Sequence, residues 1–169
     1  MFHGRIVDVD VDSITMPNGS QLELEVVRHP GGAAVVALDE RERVCVLRQY
    51  RPVISHWVWE IPAGKIDAGE PPLETACREL AEEVGVAATR WDELGAILSS
   101  PGIFTERIHL FLARGLSAVK DSPHDNEVFE VHWIPFEEAL RRACSSGIED
   151  AKSVAALTRA AYFLRREAQ

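Results

Sequence analysis

The sequence predicts an α/β protein in which a mixed β-sheet lies between helices, preceded by a small antiparallel β-meander. Three observations predict it. Short apolar or alternating runs fill residues 4–61, one amphipathic segment follows between Pro71 and Gly85, and two more amphipathic segments close the chain after further strand-like runs. With 169 residues, 46% hydrophobic and 27% charged, the chain fits one domain, or one domain with a small appendage, and can bury a core.

Residues 4–28 alternate loosely: Ile6, Val7, Val9 and Val11, then the turn Pro17-Asn18-Gly19-Ser20, then Leu22, Leu24 and Val26 against Gln21, Glu23 and Glu25. So small a sheet buries little by itself and must lie on the main domain or on a second subunit. His29-Pro30-Gly31-Gly32 breaks the pattern. The boundary is therefore set after residue 30, with residues 1–30 as the meander and 31–169 as the main domain.

Ala33–Leu38 and Val44–Tyr50 read as paired, buried strands around the charged turn Asp39–Arg43. Trp57, Trp59 and Ile61 alternate in a third strand that runs into Pro62-Ala63-Gly64. A helix begins near Pro71-Pro72, where first-turn amides need no helical partner. Leu73, Ala76, Cys77, Leu80 and Val84 give it an apolar face, with Glu79 and Glu83 on the flank, and Gly85 is placed to end it. Trp91–Ser99, Ile108–Arg114 and Val128–Trp133 read as strands, 117–127 as a polar loop, and Phe136–Ser145 and Ala151–Arg166 as helices.

The net charge of −9 argues against a nucleic-acid or membrane-surface role, yet leaves room for an anionic substrate held through a cation. Cys45, Cys77 and Cys144 are widely spaced, odd in number and apolar in context. They read as small core residues in a reducing compartment. No basic-then-apolar leader and no long apolar run occurs, so a cytoplasmic location is expected.

The chemistry concentrates in residues 64–86. Glu79, Glu82 and Glu83 crowd just over one helical turn with Arg78 beside them, a repulsive arrangement suited to a hard divalent cation. Charge alone would read as a solvated helix face. What argues otherwise is the register: Gly64-x5-Glu70-x7-Arg78-Glu79-Leu80-x-Glu82-Glu83-x-Gly85-Val86. Arg78 is better placed to brace than to ligate, reaching Glu74 or Glu82 along the helix or Glu70 in the loop.

That spacing fills every fixed position of the Nudix box, and the chain resembles the Nudix hydrolase family. The resemblance implies a Nudix α/β/α sandwich and metal-dependent hydrolysis of nucleoside diphosphates linked to another moiety. It implies Mg²⁺, with Mn²⁺ as an alternative, held by Glu79, Glu83 and Glu82 with the Ala63 carbonyl. Gly64, Glu70, Arg78 and Gly85 would support the box.

Arg48-Gln49-Tyr50-Arg51, Trp59–Lys65 and Ser100-Pro101-Gly102-Ile103-Phe104-Thr105-Glu106 are similar to the ADP-ribose pyrophosphatase branch. This implies a nucleoside diphosphate sugar as substrate, contacted at Arg51, more weakly at Arg48, and by Pro101, Gly102 and Glu106. It also implies a general base on a loop after the box, Glu127 before Glu130, with Glu82 as a further catalytic carboxylate, and a homodimer formed through the N-terminal sheet. GDP- or UDP-linked sugars are the alternative substrates, and a non-catalytic nucleotide-sensing module the alternative class.

Overall fold

The computed structural model describes residues 1–119 and 128–169. In chain order the elements are β1 (Phe2–His3), β2 (Asp8–Thr15), β3 (Gln21–Arg28), β4 (Gly32–Ala37), β5 (Arg43–Arg51), β6 (His56–Glu60), β7 (Ala63–Lys65), α1 (Pro72–Val84), β8 (Val86–Leu98), β9 (Arg107–Ala118), β10 (Phe129–Pro135), α2 (Phe136–Cys144) and α3 (Ala151–Glu167). They form three sheets: β1-β2-β3, β10-β5-β6 and β7-β4-β9-β8. The last is mixed, because β4 and β9 run parallel while β7 and β8 flank them antiparallel.

Side-chain alternation along β4 divides the core. Ala34 and Val36 point into a cluster with Leu110, Leu112, Phe136, Leu157 and Ala160, hence toward α2 and α3. Ala33, Val35 and Ala37 point into a cluster with Cys45, Leu47, Ala76, Leu80 and Phe111, hence toward α1. Helices thus cover both faces, as the α/β/α reading requires. The continuous apolar run of β4 is that of a strand buried on both sides, and all six of its residues are buried.

The structure departs from expectation in several places, and Ala33–Leu38 and Val44–Tyr50, read as paired, lie in different sheets and meet at the single Leu38–Val44 bridge. The mixed sheet is accompanied by a separate antiparallel one rather than absorbing every strand. The strand after the box begins at Val86, not Trp91, and continues through an irregularity between Glu93 and Ala96, where Gly95 has φ +83°. Ala63–Lys65, read as loop, pairs with β4 as β7. Finally, Cys45 is buried but Cys77 and Cys144 are exposed; their apolar neighbours in sequence lie on other faces of their helices.

The meander is a hairpin, β2–β3, with the two-residue β1 added at its edge. Its tie to the rest passes through the Ser100–Thr105 loop. Val27 N–H donates to the Ile103 carbonyl at 2.8 Å, and Thr105 N–H to the Val27 carbonyl at 2.9 Å. Among the described residues, no helix is long and apolar enough to cross a membrane.

Candidate active site

The site is built where β7 runs under α1. Pro71 and Pro72 open the helix without a side-chain cap, and Gly85 closes it in the left-handed region, φ +73°, its N–H donating to the Ala81 carbonyl at 3.0 Å. The buried face, however, is rotated from the one the apolar pattern predicts. Leu73 and Cys77 are exposed, while Thr75, Ala76, Glu79, Leu80 and Glu83 are buried. The carboxylates expected on a flank therefore lie in the packed face, at 7% exposure for Glu79 and 5% for Glu83.

The β7 backbone explains how two acids can be buried there. Ala63 N–H donates to Glu83 Oε2 at 2.9 Å. Glu79 rests directly over Gly64, where an added β-carbon would stand 1.9 Å from its Cδ and Oε1. Any side chain at 64 would expel that carboxylate, so the glycine is required by close approach rather than by its own torsions.

Arg78 braces the group. Its Nε and Nη2 reach Glu70 at 3.0 Å each, its Nη1 reaches Glu79 at 2.6 Å and Glu82 at 3.1 Å, and its Nη2 also donates to the Lys65 carbonyl at 3.2 Å. Of the partners weighed from sequence, Glu70 and Glu82 are used. Hydrogen bonds from Arg78, then from Thr75 Oγ1 at 2.8 Å, hold the Glu70 carboxyl down at about 2. The same contacts, that to Glu70 foremost, keep Arg78 firmly protonated against the opposing effect of its burial. Cys45 lies under the helix, where burial first and the Glu83 charge second push its thiol up.

This donor set fits a hard divalent cation: oxygen ligands only, two of them buried carboxylates fixed by backbone contacts. Among the described residues no three acidic, histidine or cysteine side chains already form a metal cage. Glu79 and Glu82 share the Arg78 guanidinium instead. Mg²⁺ retains several waters and needs few protein ligands, so the arrangement suits it.

The remaining predicted residues divide by sheet face. Arg51 falls on the same alternation of β5 as Cys45 and Leu47, toward α1. Its Nε and Nη2 grip Glu60 Oε1 and Oε2 at 2.6 Å each. Arg48 falls on the other alternation, stacked over Trp57 at 5.0 Å and paired with Glu130 at 3.6 Å. Glu130 also meets His132 Nε2 at 3.2 Å, and His132 packs on Trp59, which borders the α2–α3 cluster. Glu130 is thus on the sheet face turned away from α1, and the alternate position for a base is not brought to the helix carboxylates. Glu127, the preferred position, lies outside the described residues.

Pro101 and Gly102 form an exposed turn in which Ile103 and Phe104 N–H donate to the Ser100 carbonyl at 3.1 and 2.8 Å. Glu106 faces the meander side, its Oε1 3.4 Å from His29 Nδ1. These three belong to the loop bonded to β3. Sequence reading missed Glu60 and Lys152. Glu60 looked like one outward position of an alternating strand and Lys152 like an ordinary helix-surface lysine. Only the meeting of β6 with α3, 92 positions later in the chain, reveals them.

An α/β/α sandwich that buries a Glu-rich helix edge against a glycine of the preceding strand defines a class, and comparison agrees: the family model described as NUDIX domain matches residues 28–156, and the chain belongs to the Nudix family. Nudix hydrolases generally need a divalent metal. Over 159 residues the chain is 36% identical to the ADP-ribose pyrophosphatase of Bacillus subtilis (strain 168), covering 93% of this chain and 86% of that one. It is 37% identical, with the same coverage, to the methanol dehydrogenase activator of Bacillus methanolicus. A solved structure described as an ADP compounds hydrolase superposes with a TM-score of 0.83 over 99% of this chain and 91% of that one, at 22% identity, a likeness of fold.

Proposed function

We propose that the chain hydrolyses the pyrophosphate bond of ADP-ribose or a related nucleoside diphosphate sugar, giving AMP and ribose 5-phosphate from ADP-ribose and water. The observation that carries this is the pair of buried carboxylates, Glu79 and Glu83, set against the Ala63–Gly64 backbone. Glu79, Glu83, Glu82 and the Ala63 carbonyl hold the metal, Mg²⁺ with Mn²⁺ as a substitute. When bound, the cation neutralises phosphate charge and acidifies an attacking water. Arg51, its Nε and Nη2 held by Glu60, contacts the substrate phosphates with the remainder of its guanidinium from the α1 side of β5. Glu127 accepts the proton of water as general base.

Residues 31–169 form the hydrolase domain in this reading and residues 1–30 a dimerisation element. The exposed Phe2, Ile6, Val11 and Leu22 of that element support a homodimer. The free cysteines fit a cytoplasmic location. Initial rates on ADP-ribose, GDP-linked and UDP-linked sugars with Mg²⁺ test the substrate. ADP-ribose is expected to lead; its ranking below the other two overturns the choice, and no turnover of any of them favours a binding module.

A further inference from the structure

Glu60 is a carboxylate at 3% exposure, at the end of β6 and three residues before Ala63. A carboxylate so deep needs both oxygens satisfied. Arg51 takes Oε1 and Oε2 as a bidentate fork, and Lys152 Nζ, from the first turn of α3, also takes Oε2. Burial pushes the Glu60 carboxyl up, but the contacts from Arg51 and Lys152 more than offset it and hold it below the ordinary carboxylate range. Lys152 is itself 13% exposed and pinned by Asp150 Oδ1 at 2.9 Å.

The charges make this more than a brace. Arg51 and Glu60 alone form a neutral pair, a poor receptor for a phosphate anion. Lys152 supplies a second cation, so Glu60 answers to two partners and Arg51 is not its sole counter-ion. Asp150 joins the same cluster: its Oδ1 accepts from Lys152 Nζ at 2.9 Å, while its Oδ2 caps α3 by accepting from Ser153 N–H at 3.0 Å. The cleft beside these residues, about 400 Å³, is bounded by Arg51, Val58, Glu60, Asp150 and Lys152, with His56 and Glu149 3.8 Å apart at its edge. Arg51 keeps 40% of its side chain exposed while held from behind.

We infer that Lys152 is a positioning residue for the hydrolysis: through Glu60 it fixes the orientation of the Arg51 guanidinium toward the substrate pyrophosphate. This rests on the assignment of Arg51 to the phosphates. It predicts that α3, which contributes no group to the Glu79–Glu83 cluster, governs substrate affinity.

The test is steady-state kinetics of the full chain on ADP-ribose with saturating Mg²⁺, alongside a melting curve for each variant. Lys152→Met is expected to raise KM about fivefold to tenfold with kcat within about twofold, since only ground-state and transition-state binding in common is lost. Lys152→Arg is expected to restore KM, and adding Lys152→Met to Arg51→Lys to raise KM no further, as coupled residues do. If Lys152→Met does not fold, Lys152→Gln carries the same expectation, keeping a donor to Glu60 without the charge. An unchanged KM in the Lys152 variant with a raised one in Arg51→Lys overturns this inference alone, as does strict additivity in the double variant. An unchanged KM in Arg51→Lys overturns the phosphate assignment and this inference with it.

Discussion

The carboxylate of Glu79 lies on the α-carbon of Gly64, so closely that a β-carbon at 64 would overlap its Cδ at 1.9 Å. Strand and helix are therefore fitted to each other where Glu79, Glu82 and Glu83 gather.

Gly64→Ala tests that fit. The added methyl must displace Glu79, and a shift of about 1 Å in a catalytic group can cost about 100-fold in rate. The expected outcome is a kcat reduced by about that factor in a protein that still folds, read from kinetics and circular dichroism.

Glu83→Gln removes one metal-facing charge while keeping side-chain volume. Loss of a metal contact worth several kcal/mol predicts a fall in kcat of about 100-fold or more. Wild-type protein should gain thermal stability with Mg²⁺, by about 2.7 kcal/mol at 100 times its dissociation constant, because the cation binds the folded chain and not the unfolded one. Chelation with EDTA should abolish turnover, and the Mg²⁺-dependent rise in Tm should shrink in Glu83→Gln.

Glu127 and Glu130 separate in kinetics. Glu130 is engaged with Arg48 and His132 on the face away from α1. Glu130→Gln should leave kcat within about threefold, whereas Glu127→Gln should lower it by about 100-fold, the scale of general-base catalysis. The reverse ranking would return the base to Glu130.

Glu70 sets a pH dependence of stability. Its folded value, about 2, lies below the ordinary 4.5, so its ionised form is stabilised by folding. That contribution is complete above about pH 5 and is lost as pH falls through 4.5 toward 2, since the unfolded chain takes up the proton first. Glu70→Gln should accordingly flatten the decline of Tm between pH 5 and pH 3, measured by scanning calorimetry.

Sequence reading captured what is local. The strand Ala33–Leu38, the helix ends at Pro72 and Gly85, and the acidic cluster follow from periodicity, torsional preference and charge spacing, all short-range effects. It misjudged the facing of α1, because Glu79 and Glu83 were assigned to a flank by polarity. Their burial depends on the Ala63 amide and the bare α-carbon of Gly64, contacts made by a strand that three residues could not announce. The Arg51–Glu60–Lys152 trio was invisible for the same reason: Lys152 lies 92 positions beyond Glu60, and nothing local marks either as the partner of Arg51.

β7 is three residues long, sits at the edge of the mixed sheet, and is hydrogen-bonded within that sheet only to β4. Short edge segments open at a free energy well below that of the whole fold. Activity should therefore disappear at lower denaturant than ellipticity, and the Ala63–Lys65 amides should exchange hydrogen sooner than those of β4. The strand that carries Ala63 and Gly64 should thus open before the sheet it borders.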